Sequence, residues 1–180
     1  AMCDGTTWRE VGGGVTISSG TARVSALAVD DDNNLIVGGY FDQAGGTASD
    51  NLAVWNGANW QEFGGGVSGA VTALKIADGN LYVGGWFNQV GTMAAGNIAY
   101  FNFQSGTWLT MGSGVDGTVN VIEWEPTTSS VFVGGDFSTA GGTSAYRIAR
   151  FVGSSWQAVG GGFMTLGGDI RSLLAAAKDG

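Results

Sequence analysis

Leu81-Tyr82-Val83-Gly84-Gly85-Trp86-Phe87 is the stretch whose reading decides the fold. Alternation along an extended chain sends Leu81, Val83 and Phe87 to one side and Tyr82 and Trp86 to the other. Both faces are therefore apolar, as in a strand covered on both sides. A Gly-Gly pair inside such a strand is costly, so its presence predicts a bulge or a close approach by a neighbour.

The stretch recurs. Val37-Gly38-Gly39-Tyr40-Phe41 precedes it and Val133-Gly134-Gly135-Asp136-Phe137 follows it. Three further signatures keep step with it. Trp60, Trp108 and Trp156 recur every 48 residues, Trp8 lies 52 before Trp60, and each is followed by a Gly-rich triplet beginning at Gly12, Gly64, Gly112 or Gly160. Then come Val24-Ser25-Ala26-Leu27, Val71-Thr72-Ala73-Leu74, Val119-Asn120-Val121-Ile122 and Ile170-Arg171-Ser172-Leu173. The last signature is a short apolar run ending in an aromatic residue: Leu52 to Trp55, Ile98 to Phe101 and Ile148 to Phe151.

Each period thus holds four short segments separated by turn sequences such as Asp78-Gly79-Asn80, Asn56-Gly57 and Gly45-Gly46, the spacing of consecutive antiparallel strands. In the first period they are strand a (Val24 to Val29), b (Leu35 to Phe41), c (Leu52 to Trp55) and d (Trp60 to Phe63). Four strands in about fifty residues make one blade of a β-propeller. The expected fold is all-β: four-stranded antiparallel blades over 24–67, 71–115 and 119–163, with a split fourth. That fourth has strands c and d in 1–15 and strand a in 170–180. Ala1 to Trp8 aligns with Ala149 to Trp156, and Leu174 to Gly180 ends just before another strand b is due. The chain is accordingly expected to belong to a longer repeat array, or to obtain the missing strand from another copy.

Composition narrows the function classes. With 34 Gly, 1 Pro and 44% hydrophobic residues, the chain is neither collagen-like nor a disordered linker. Net charge is -8, and the seven basic residues, Arg9, Arg23, Lys75, Arg147, Arg150, Arg171 and Lys178, are scattered. This distribution argues against nucleic acid as a partner. Only 12% of residues are charged, which implies an exterior of uncharged polar residues and suits an extracellular or cell-surface location. No apolar run reaches the ~18 residues of a membrane span. Cys3 is the single cysteine, so it forms no internal disulfide.

The chain contains no His, which removes Ser-His-Asp and Cys-His catalysis and most zinc sites. Cys3 stands where Trp55, Phe101 and Phe151 stand in other repeats and is expected to be a small core residue. Asp30, Asp31 and Asp32, in the turn between a and b, offer oxygen ligands for a calcium ion or form a solvated hairpin. Glu123, Glu125 and Asp136 are the carboxylates from which a glycosidase pair would have to be drawn. Asn-x-Ser/Thr does not occur, so N-linked sugars are not expected.

Tyr40, Trp86 and Asp136 share one repeat position, and the b–c loops supply Asp42, Gln43, Asn88 and Gln89 beside them. Aromatic rings next to amides and carboxylates are what glycan or peptide recognition uses. The alternative is that Tyr40 and Trp86 pack between blades.

The Gly-Gly-x-Phe-x-x-Ala-Gly-Gly pattern of Gly134 to Gly142, followed by Ile148-Ala149-Arg150-Phe151 and Trp156-Gln157-Ala158-Val159-Gly160, resembles the kelch-like propeller repeats of large secreted or surface proteins. These include the fungal cortical polarity-marker proteins and similar bacterial and algal proteins. The resemblance covers nearly the whole chain and implies an extracellular, non-enzymatic propeller. The missing catalytic residues, the low charge and the severed blade lead to the expectation of a structural or adhesive scaffold, a protomer of a surface or filamentous assembly, with copies or other parts of the polypeptide as partners through exposed blade edges. Asp136, where Tyr40 and Trp86 stand, and Pro126 in the turn between a and b depart from the pattern.

Overall fold

Three four-stranded antiparallel sheets, each with spatial order a-b-c-d, form the body of the chain. A computed structural model describes residues 1–3, 5–163 and 170–173. The first blade consists of Arg23–Val29, Leu35–Tyr40, Leu52–Trp55 and Trp60–Glu62; the second of Ala70–Ala77, Asn80–Trp86, Ile98–Asn102 and Thr107–Thr110. Strands Thr118–Glu125, Ser130–Asp136, Ile148–Val152 and Ser155–Ala158 make the third. A two-stranded hairpin, Met2–Cys3 with Trp8–Arg9, precedes them. No helix occurs among the described residues. The all-β propeller architecture read from the repeat is the one observed.

Strand b of the second blade is covered on both sides, as its sequence requires. Leu81, Val83 and Phe87 pack with Ile36, Leu52 and Val71 towards the first blade. Tyr82 packs with Ile122, Val131 and Val133 towards the third, its ring stacked 6.1 Å from Trp124. Burial pushes the Tyr82 phenol up to about 12, with Asp78 and Tyr100 adding to the shift. An apolar side chain stabilises by about 1.5–3 kcal/mol when fully buried, and each blade presents several on both faces.

The Gly-Gly pair meets both demands expected of it, one at each glycine. A Cβ on the first would strike the next blade: at Gly84 it would lie 2.6 Å from Val119 Cγ1, and at Gly134 2.5 Å from Ile170 Cγ2. On the second it would strike the blade's own strand a, at the carbonyls of Arg23, Ala70 and Thr118 for Gly39, Gly85 and Gly135. Strand a is bulged there, at Val24/Ala26, Val71/Ala73 and Val119/Val121. The first glycine sets the spacing between blades; the second admits the bulge.

The Trp of each strand d fastens its blade to the repeat before it. Its Nε1 donates to a backbone carbonyl: Trp60 to Val11 at 3.1 Å, Trp108 to Gly64 at 2.8 Å and Trp156 to Met111 at 2.7 Å. The Gly-rich turns so engaged run on into the b–c region of the following blade. Val15–Thr16 pairs with Gln43–Ala44, Val67 with Val90, and Val115 with Ala140. The b–c segments expected as loops therefore contain short hairpins, because the incoming turn supplies them with a backbone partner.

Two expectations fail at the chain's ends. Cys3 is exposed, not a core residue, because Met2–Cys3 pairs only with Trp8–Arg9 among the described residues. Ile170 to Leu173 are not in a strand, although Ile170 packs on Gly134 as Val119 packs on Gly84. The rest of the expected strand a, 174–180, lies outside the described residues.

Candidate functional site

The last residue of each strand b is placed by its pairing with the first residue of strand a: Tyr40 with Arg23, Trp86 with Ala70, Asp136 with Thr118. Beyond the bulge these side chains clear the interblade core. Tyr40 is 49% and Trp86 56% exposed, so the packing alternative is set aside for both rings. It is Phe41 and Phe87, one residue on, that are buried.

Trp86 of the second blade and Asp136 of the third line one open cleft of about 620 Å³. Asn88 joins them, so three of the seven residues expected at a binding surface come together. Tyr40, Asp42, Gln43 and Gln89 do not line it. Asp42 Oδ2 accepts from the Ser18 amide at 2.8 Å, Gln43 Oε1 accepts from Thr16 Oγ1, and Gln89 Nε2 donates to the Gly91 carbonyl. The Ser18 hydroxyl, and then its amide, hold the Asp42 carboxyl below its ordinary value.

Ser68, Asn97, Asp116 and Thr118, with Phe87, Gly96 and Gly117, complete the walls. Ser68 Oγ donates to Asn88 Oδ1 at 2.9 Å and accepts from the Asn88 and Gln89 amides. Asp116 Oδ1 accepts from the Ser138 and Thr139 amides, both at 2.8 Å. Burial works to raise the Asp116 carboxyl, but those amides and the Thr139 hydroxyl outweigh it and hold the group below its ordinary value. Asn97, with φ 62°, accepts from the Phe87 amide and donates to the Val115 carbonyl. Its repeat-mate Asn51 makes the same two bonds to Phe41 and Val67. In the third blade Arg147 takes this position, with Nη2 3.8 Å from Asp136 Oδ1. The recurrence of Asn51 and Asn97 just before strand c was the available signal for this wall. Ser68 and Asp116 carried none, since only the fold brings the turn after strand d beside the next b–c hairpin.

The family model described as Rax2 C-terminal beta propeller domain matches residues 76–180, more than half of the chain. The chain belongs to this family. Rax2 is a cortical polarity marker, so the resemblance to such proteins is shown. The match takes in Trp86, Asn88, Asn97, Asp116 and Asp136 of the cleft. Among curated proteins none matches the chain in sequence. Among solved structures, the Mitotic Checkpoint Complex contains a chain 15% identical, with TM-score 0.43, over 88% of this chain and 42% of its own. The extracellular domain of BT4673 from B. thetaiotaomicron is 14% identical, with TM-score 0.34, over 81% of this chain and 22% of its own. The chain spans less than half the length of either.

The other acidic candidates in this Rax2-family propeller serve its framework. Asp30 spends its carboxylate on its own hairpin: Oδ1 accepts from the Asp32 and Asn34 amides and Oδ2 from Asn34 Nδ2. Asp31 and Asp32 are solvated, and among the described residues no group of three or more His, Cys, Asp or Glu is placed to hold a metal ion. Asp30 is thus placed as a turn acceptor. Register separates Asp136 from the two glutamates considered for glycoside cleavage. Glu125 pairs with Ser130 and Asp136 with Thr118, opposite ends of one hairpin, roughly 20 Å apart at ~3.4 Å per residue. A glycosidase pair needs about 5–9.5 Å. Glu123 is bound by Lys75 Nζ of the second blade at 2.6 Å, and Glu125 by the hydroxyls and amides of Thr127 and Thr128.

Proposed function

We propose that this propeller is a non-enzymatic structural and adhesive scaffold working outside the cell, and that the cleft between its second and third blades is its contact with a partner. The observation that carries the reading is Trp86: a large ring left exposed in a cleft whose lining also carries the polar side chains of Ser68, Asn88, Asn97, Asp116, Thr118 and Asp136. An exposed aromatic face supplies stacking area, and fixed acceptors around it supply direction. Asp116 is held ionised by the amides it accepts from, which suits an acceptor of hydrogen bonds and opposes a role as general acid. The low charge supports an outside location.

Neutral glycans and hydroxyl-rich or weakly basic peptides fit this wall; anionic ligands meet Asp116 and Asp136. A glycan and peptide array with the whole chain, read for both binding and turnover, tests the reading. Binding without turnover, abolished in Trp86→Ala, is the expected result. Turnover lost in Asp136→Asn, or binding untouched by Trp86→Ala, would overturn it.

A further inference from the structure

We propose that a second cavity between the second and third blades, at the start of their strands b where the Trp86 cleft lies at their ends, binds a small compound carrying a quaternary ammonium group. The inference stands independently of the cleft at Trp86.

Repeat equivalence sets this junction apart from the one before it. Tyr82 of strand b pairs with Tyr100 of strand c in the second blade, and Trp124 of strand a pairs with Val131 in the third. Register gives the equivalent positions at the junction of the first and second blades as Ile36, Val54 and Ile76. Aliphatic side chains suffice to pack that junction; aromatic rings stand in their place at the next. The Tyr82 ring lies 5.6 Å from that of Tyr100 and 6.1 Å from that of Trp124.

The larger rings do not close the junction. A cavity of about 430 Å³ remains between the blades, and its lining includes Tyr82, Tyr100, Trp124 and Phe151. That volume is in the range of small-molecule sites. Tyr100, Trp124 and Phe151 are half-buried, which leaves part of each ring for a ligand to cover.

Charge and hydrogen bonding select the class of occupant. Aromatic faces are the negative side of the ring quadrupole and attract a cation set against them. The exposed Asp78 also lines the cavity, no basic side chain does, and the chain carries a net charge of -8. A sugar finds fewer directed partners: Asn80 Nδ2 donates to the Asp78 carbonyl and its Oδ1 accepts from Asn102 Nδ2, while the Thr128 hydroxyl is engaged by Glu125 and Ser130. A quaternary ammonium needs none, and its methyl groups suit the apolar rings. A phosphate beside it would meet Asp78, so the occupant is a cation without one.

The test is a titration of the whole chain with choline chloride at constant ionic strength, read by tryptophan fluorescence and saturation-transfer NMR. Saturation is expected in the millimolar range or below. Dimethylbutanol, the uncharged carbon isostere of choline, should bind at least about tenfold more weakly, and phosphocholine should also be weaker than choline. Trp124→Ile and Tyr100→Val install the residues of the preceding junction, so packing is kept while the ring faces are lost; each should weaken choline binding at least about fivefold. Asp78→Asn changes an exposed turn residue with φ 50°, a conformation that Asn tolerates, and should weaken binding about threefold at low salt without touching the rings. Four results would each overturn the proposal: no saturation by about 50 mM choline, equal binding of dimethylbutanol, phosphocholine binding as tightly as choline, or choline binding unchanged in Trp124→Ile or in Asp78→Asn.

Discussion

Gly84 and Val119 touch across the boundary between the second and third blades so closely that Gly84 has no room for a side chain. Gly84→Ala should therefore destabilise the chain by about 1–3 kcal/mol, the usual cost of forcing extra atoms into a packed core. Gly161, which has open space around it, serves as the control: Gly161→Ala should stay within about 0.5 kcal/mol. Urea unfolding of the two variants checks the pair. Equal effects would remove the blade-spacing role assigned to the first glycine.

Trp156 and Met111 supply the second prediction. Met111 is fully buried and its carbonyl accepts from Trp156 Nε1. Trp156→Phe keeps most of the ring but removes one of the two donors to that carbonyl, which retains the Gly114 amide, at a cost of about 0.5–1.5 kcal/mol. Trp8, its repeat-mate, is 71% exposed, and Trp8→Phe should change stability by less than about 0.5 kcal/mol. Thermal unfolding of both separates an anchored ring from a free one.

Asn97 combines a left-handed backbone with two hydrogen bonds. Asn97→Gly loses the bonds but keeps the conformation, whereas Asn97→Ala loses both, adding the ~1 kcal/mol or more that a Cβ costs there. The Ala variant should consequently be the less stable. The reverse order in denaturant melts would show that backbone strain is not what selects Asn at this position.

Glu125 sets an acid-side dependence. The Thr127 and then the Thr128 hydroxyl, with their amides, lower its carboxyl from 4.5 to about 2. A group depressed in the folded state contributes stability above its unfolded value and loses that contribution as pH falls through the folded one. Its contribution to the turn between a and b should thus be intact above about pH 4.5 and fade towards about pH 2. A carboxyl-detected NMR titration should find a midpoint well below that of ordinary glutamates, rising in Thr127→Ala. An ordinary midpoint in the parent chain would refute the turn geometry.

How much of this was readable beforehand differs residue by residue. Val83-Gly84-Gly85 announced both a double-faced strand and a crowded one, since recurrence of Gly inside an apolar strand has few physical causes. It did not say which glycine meets which neighbour. Trp86 and Asp136 were singled out for sharing a repeat position, yet their meeting in one cleft depends on adjacent blades standing side by side. Cys3 was misplaced because alignment gives a residue its equivalent position without giving it the neighbours that bury it. Asp30 was a possible ligand on paper and a turn acceptor in space, because its nearest donors are its own backbone amides.

The sequence by itself determined the all-β class, the four-stranded unit and its repeat, because alternation, turn residues and recurring Trp and Gly are local and survive in one dimension. Only the tertiary structure decided what lies between blades: Val119 on Gly84, Trp156 on Met111, Trp86 beside Asp136, and Leu27 exposed. Those relationships join residues tens of positions apart, and whether a side chain is buried, paired or free is set by the neighbour that arrives and not by the residue itself.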